Sequence, residues 1–334
     1  MIPHPALTCQ TIPWRKALSQ AVRDPAELLQ RLTLSQELLP AARLAAAQFP
    51  LRVPLGYVAR MEKGNPADPL LRQVLPLGEE LLTTRGFSDD PVGDQAAMTI
   101  PGLLHKYTGR VLLITTAACG IHCRYCFRRH FPYAEARAAA QDWQPALDYI
   151  AADSSIHEVI LSGGDPLSLS DHRLARLAEQ LAAIPHVKRL RLHTRQIIVL
   201  PERVDAELLN WLASSRLQTV MVVHTNHANE IDNQVAGALQ QLTATNISLL
   251  NQSVLLRGVN DNVTALAALS ERLFEHRVLP YYLHQLDRVR GAQHFEVSDQ
   301  RAISLIEQLR EQLPGYLVPR LVREKAGDPS KMPI

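Results

Sequence analysis

From residue 110 onward the chain alternates between short β-branched or apolar runs and longer stretches of helical spacing, and this limits the fold more than any other feature. The runs fall at 111–115, 158–161, 189–193, 219–224, 247–255 and 278–283. The helical stretches fall at 139–152, 174–184, 206–213, 235–242, 263–274 and 300–313. Parallel neighbours in a sheet need a crossover, usually a helix, so six strand-then-helix units predict a parallel sheet. At 334 residues, length alone suggests about two domains, and one α/β barrel also fills that length. The unusual residues separate a barrel from an open doubly wound sheet. Cys119 to Cys126, Ser162-Gly-Gly-Asp165, Thr194-Arg195, His224-Thr-Asn226 and Arg257-Gly-Val-Asn260 all follow the C-terminal ends of successive strands. Function gathered at that rim is the habit of barrels. The expected fold is α/β, a partial (β/α)6 TIM-like barrel.

Upstream, Trp14, Leu18, Val22, Leu28, Leu29 and Leu32 recur at three- and four-residue steps, and Asp24-Pro25 reads as a helix start. Prolines then crowd residues 49–102, which reads as short helices and loops that wrap the barrel. The expected division is a helical and wrapping region over 1–105, the barrel over 106–322 and a C-terminal segment over 323–334. The N-terminus lacks a charged region followed by an apolar run, and the run at 111–114 is far below the ~18 residues of a membrane span. A cytoplasmic protein without membrane contact is expected. Thirty-five basic against 33 acidic residues argue against nucleic-acid binding through bulk charge.

Three of the four cysteines lie in Cys119-Gly-Ile-His-Cys123-Arg-Tyr-Cys126. A disulfide framework would spread its cysteines, so this clustering reads as metal chemistry in a reducing compartment. Zinc sites usually pair their cysteines at C-x2-C and take four ligands, and Cys9 is far away. Three ligands on a cubane leave one iron open for direct binding of a substrate. A zinc knuckle completed by His122 or His130, or plainly buried cysteines, are the competing readings.

With Tyr125 before its last cysteine, the loop resembles the signature of the radical S-adenosylmethionine (SAM) superfamily, whose open iron is chelated by SAM. Ser162-Gly163-Gly164-Asp165-Pro166, one unit later, is similar to that superfamily's second motif, where backbone groups meet the SAM amino group. Glycines there admit a close ligand. Together with His224-Thr-Asn-His227, Asn251-Gln-Ser-Val-Leu-Leu-Arg-Gly-Val-Asn260, Tyr281-Tyr-Leu-His-Gln-Leu-Asp287 and Gly327-Asp-Pro-Ser-Lys331, the chain resembles the lysine 2,3-aminomutase family from about residue 107 onward.

The resemblance implies a radical SAM barrel with a [4Fe-4S] cluster on Cys119, Cys123 and Cys126, SAM, and pyridoxal 5'-phosphate (PLP) held by Lys331 as a Schiff base. On composition alone a lysine so near the C-terminus is a solvated charge. Lys16, Lys63, Lys106, Lys188 and Lys325 match less well as the anchor. The implied isomerase reaction turns (S)-α-lysine into (R)-β-lysine by a 5'-deoxyadenosyl radical and a 1,2-amino shift. By the same match Arg128 forks the substrate carboxylate, and Asp287 and Glu324 receive its ε-ammonium. The family has Asp where this chain has Glu324. Tyr125, Ser162, Gly163, Gly164, Asp165, His224 and Gln252 are expected around SAM and PLP, and the stretch from His105 to Arg110 is a candidate for the PLP phosphate. Two acids at the distal end favour lysine over glutamate as substrate. From the residues alone, solvated salt bridges and structural polar groups compete with these roles.

Long family members continue past the PLP lysine into a segment with metal-binding cysteines. This sequence stops at Ile334 without a cysteine after Cys126, and so resembles the short bacterial members that supply β-lysine for modification of elongation factor P. The implied partners are L-lysine, a flavodoxin or ferredoxin, and an elongation factor P lysyl-transferring enzyme. Two alternatives stay open. One is another radical SAM enzyme, a glutamate aminomutase or a methyltransferase or maturase with Lys331 incidental. The other is a cluster-binding or sensing module without turnover.

Overall fold

A computed structural model describes residues 13–133, 143–245 and 247–334. Cys9 and the first residues of the helix expected at 139–152 lie outside the described residues. The strands are β1 (Met98–Ile100), β2 (Leu103–Tyr107), β3 (Arg110–Thr116), β4 (Glu158–Gly163), β5 (Arg189–Thr194), β6 (Gln218–Val223), β7 (Ser248–Val254), β8 (Leu279–His284), β9 (Arg320–Arg323) and β10 (Met332–Pro333). They form one sheet in chain order, with β1 and β10 as its unjoined edges. From β3 to β9 every pairing is parallel. Helices Gln144–Ala152, Asp171–Ala182, Ala206–Ser214, Asn233–Thr243, Val263–Glu275 and Asp299–Gln312 make the crossovers. The partial barrel expected from the alternation is therefore present, and its sheet stays open.

The register explains the apolar runs. Val111 lies opposite Val159, Leu161 opposite Leu192, and Leu192 opposite Met221. Strands covered on both faces read as continuous apolar stretches, and every residue of β4 is buried. Helix Asp171–Ala182 buries Leu174, Leu177, Ala178 and Leu181, the stripe that a 3.6-residue period lays on one face. Several crossover helices start where a side chain satisfies an orphan amide. Asp205 accepts from Leu208 N, Asp232 from Gln234 N and Val235 N, and Asn262 from Ala265 N.

Four strands were not anticipated. The stretch read as loops contains β1, which joins the equally unanticipated β2 through Pro101-Gly102, with Ile100 opposite Leu103 and Gly102 at φ 81°. A three-residue strand is too short to show a period, although Pro-Gly is itself a turn signal. Past the sixth crossover, β9 adds a seventh parallel strand beside β8, with Leu283 opposite Leu321. The chain then doubles back as β10, Met332 opposite Arg323, and this return places Lys331 against the barrel rim.

The N-terminal helices Trp14–Ser19, Pro25–Arg31, Leu39–Gln48, Leu55–Val58 and Pro69–Arg72 precede the sheet. Their core, including Leu28, Leu29, Tyr57 and Leu70, continues into Ile121 of the cysteine loop and Val199 beyond β5. The same region clamps the loop with hydrogen bonds. Arg124, fully buried, reaches Glu80 at 2.5 Å and the Phe49 carbonyl at 2.7 Å, and Arg129 reaches Glu80 at 2.8 Å. His122 N donates to Arg52 O at 3.0 Å and Arg124 N to Gln73 O at 2.9 Å. Among the described residues no helix is long and apolar enough to cross a membrane.

Candidate active site

The C-terminal rim of the barrel opens into a cavity of about 460 Å³. Each site residue expected from the sequence, from Cys119 to Lys331, borders it. His105 does not, and instead meets the Tyr149 hydroxyl at 2.8 Å.

The three thiols are unpaired and partly exposed toward this space. Burial pushes Cys126 up to about 11 and Cys119 well above its usual value, and neighbouring thiols add to both. As bare protein such groups stay protonated, whereas bound iron deprotonates them outright. Among the described residues no three His, Cys, Asp or Glu side chains converge as ligands of a single ion. A cubane takes its cysteines on different irons, and three separate thiols on one loop fit it. His122 Nδ1 lies 2.8 Å from Pro50 O, and His130 Nε2 lies 3.1 Å from Arg290 O. Both histidines proposed for a zinc knuckle thus face backbone carbonyls.

The glycines after β4 have a reason inside the chain itself. A Cβ on Gly164 would sit 2.3 Å from Ala118 O, because Gly164 N donates to Thr116 O and Asp165 N to Ala118 O, each at 2.7 Å. The β4 tip thus packs directly on the strand-to-cysteine turn. Asp165 is likewise engaged by its own chain: its carboxylate accepts from Thr194 Oγ1, Arg195 N, Gln196 N and Leu167 N. Tyr125 OH accepts from Asn226 Nδ2 at 2.7 Å.

A chain of charges runs along the wall. Arg128 donates from Nε to Asp94 Oδ2 at 2.7 Å and from Nη1 to Ser162 Oγ at 3.0 Å. Lys106 Nζ bridges Asp94 at 2.6 Å and Glu324 at 2.9 Å. Lys331 Nζ lies 3.2 Å from Glu324 Oε2 and donates to His284 Nε2 at 3.1 Å. Lys106, set aside as the PLP anchor but part of the stretch considered for the PLP phosphate, stands in the cavity wall, and Glu324, expected at the substrate amine, meets two lysines of the protein. Asp94, in the proline-rich connector, carried no sequence signal at all. Burial alone would raise Glu324, but Lys331 and Lys106 outweigh it and hold the carboxyl at about 2. Asp287 goes the other way: burial, then Glu324, push it to about 7 against the pull of Lys331.

Organic cofactors need free polar atoms, and the cavity holds them. His224 Nε2, His193 Nε2 and Gln252 Oε1 are buried without a hydrogen-bond partner among the described residues. Burial, helped by Arg195 and Lys331, brings His224 down to about 3, so its ring is neutral. These orphaned atoms, a lysine and a guanidinium fit PLP and SAM.

A parallel partial barrel with three thiols after its first parallel strand, and a glycine-rich strand tip packed on the turn that leads to them, is the arrangement expected from the sequence resemblance to the radical SAM superfamily. No family model matches the chain. It is 51% identical over 322 residues to the L-lysine 2,3-aminomutase of Escherichia coli K12, covering 96% of this chain and 94% of that one. It is 50% identical over 318 residues to the L-lysine 2,3-aminomutase of Haemophilus influenzae, covering 95% and 94%. The chain belongs to the L-lysine 2,3-aminomutase family. Among solved structures, a radical SAM methyltransferase from Sphaerobacter thermophilus aligns at 16% identity and a TM-score of 0.43, over 66% of this chain and 68% of that one.

Proposed function

We propose that this protein is an L-lysine 2,3-aminomutase that converts (S)-α-lysine to (R)-β-lysine with a [4Fe-4S] cluster, SAM and PLP. The observation that carries the reading is Lys331, a lysine three residues from the end of the chain, drawn into the cavity of the three thiols. When bound, the cluster and SAM supply the hydrogen-abstracting radical, and PLP supplies the conjugated ring over which nitrogen changes carbons. Cys119, Cys123 and Cys126 hold the cluster, and the final segment, 323–334, presents Lys331 to PLP.

The side chains orient the substrate. Asp94 and Ser162 fix the plane of Arg128, whose guanidinium binds the substrate carboxylate. Asp287 takes the ε-ammonium, while Glu324 holds Lys106 and Lys331 in the cavity wall. The enclosing strand tips keep water from the reacting carbons. Reduction calls for a small electron-transfer protein of the flavodoxin or ferredoxin class, and the β-lysine product goes to an elongation factor P lysyl-transferring enzyme.

Asp287 makes binding pH-dependent. Its carboxyl titrates at about 7, so it is neutral below and charged above that value, while the substrate amine stays protonated throughout. The Kd for lysine is therefore expected to rise several-fold as pH falls from about 8 to about 6. Asp287→Asn should bind weakly with a flat profile, which calorimetry across that range reads directly. To test the function itself, the reconstituted protein is incubated with SAM, PLP and a reductant, and separately with lysine, glutamate and alanine. Mass spectrometry should find a β-amino acid from lysine alone; conversion of glutamate with lysine untouched would overturn the assignment.

A further inference from the structure

We propose that Arg195 is a positioning residue for the iron–sulfur cluster, raising its reduction potential through a hydrogen bond to the sulfur of Cys123, with Glu230 limiting the effect. This rests on the cluster reading above. Arg195 follows β5 and is 5% exposed. Its Nη1 lies 3.1 Å from Cys123 Sγ and also contacts the Tyr125 hydroxyl. Its Nη2 meets Tyr57 OH at 3.1 Å, Gln73 Oε1 at 2.8 Å and Glu230 Oε2 at 2.9 Å. Glu230 is fully buried, and its other oxygen accepts from Asn226 N, His227 N and Gln73 Nε2.

No step of the reaction described above uses this guanidinium. Tyr57, Tyr125 and Gln73 are neutral acceptors that any donor would satisfy. Glu230 compensates the buried charge from the Nη2 side, and Nη1 is turned instead to the Cys123 sulfur and the Tyr125 hydroxyl. As a cluster ligand Cys123 is a thiolate, and one-electron reduction adds a further negative charge to the cluster it holds. A cation donating to that sulfur favours the reduced form more than the oxidised one, and the potential rises. Buried charges are screened little by salt, so the effect persists at physiological ionic strength. Glu230 opposes it because its carboxylate partly cancels the guanidinium charge.

The test is an EPR-monitored redox titration of anaerobically reconstituted protein without SAM or PLP, each midpoint taken on samples of matched iron content. Arg195→Gln should lower the equilibrium constant for one-electron reduction about tenfold, a drop of ~59 mV. Arg195→Lys should recover part of the loss, and Glu230→Gln, which leaves the guanidinium less compensated, should shift the midpoint upward. A merely structural arginine would reduce iron loading while leaving the midpoint of the loaded fraction unchanged, and that result overturns the inference. If Arg195→Gln takes up no iron, Glu230→Gln decides: an upward shift supports the inference and an unmoved midpoint overturns it. An unmodified protein without a reducible cluster overturns the cluster reading itself, and this inference with it.

Discussion

Lys331→Ala protein, reconstituted with iron, sulfide, SAM and PLP, is expected to lose β-lysine formation by roughly a thousandfold or more while still cleaving SAM on reduction. The separation follows from the structure. The thiols sit on the loop after β3, clamped by the N-terminal helices, whereas Lys331 directly precedes β10, an edge strand of the sheet. Removing its ammonium frees one oxygen of Glu324, whose other oxygen keeps Lys106 at 2.9 Å, so the wall remains charge-compensated. Product is read by mass spectrometry, and retained cofactor by the absorbance that survives gel filtration. Undiminished β-lysine formation in a protein that holds no PLP would make Lys331 incidental to the amino shift and overturn its role as the PLP anchor.

Lys106→Met is expected to destabilise the protein by about 1–3 kcal/mol at neutral pH, because each of two buried carboxylates loses a charge-assisted hydrogen bond while keeping one other cation. The side chains of Lys106, Asp94 and Glu324 are 16%, 3% and 15% exposed, so water compensates little. Asp94 would keep Arg128, and Glu324 would keep Lys331. The pH dependence has a definite sign. The carboxyl of Glu324 is depressed from 4.5 to about 2 in the folded protein, so its stabilising contribution is complete above 4.5 and is lost as pH falls toward 2. Denaturant unfolding should therefore show the gap between the variant and the parent narrowing through that window, while Lys106→Arg stays near the parent. A variant within about 0.5 kcal/mol of the parent at pH 7 would show that the charge chain contributes nothing to stability.

Much of this was legible in the order of the residues. The six crossovers fell near their predicted positions because strand and helix periods repeat within a few residues, and four crossover helix starts carry Asp, Asn or Ser caps. The cysteine spacing and Ser-Gly-Gly-Asp are equally local. The hairpin of β1 and β2 escaped notice because its strands are brief, and β9 because four residues after a proline carry no period. Thr194-Arg195 stood out as a strand-end pair, although nothing near it in the chain named Cys123 as its partner.

By itself the sequence determined the parallel barrel, the thiol triad and the candidacy of Lys331, all of which rest on short-range pattern or on motif. The tertiary structure alone decided which charges face one another. Lys106 and Glu324 are 218 residues apart, and Arg195 and Gln73 are 122 apart. A charged side chain looks the same in sequence whether water or a distant carboxylate surrounds it. Its partner is set by strand order and by the return of the chain at β10, where burial makes compensation by an opposite charge obligatory.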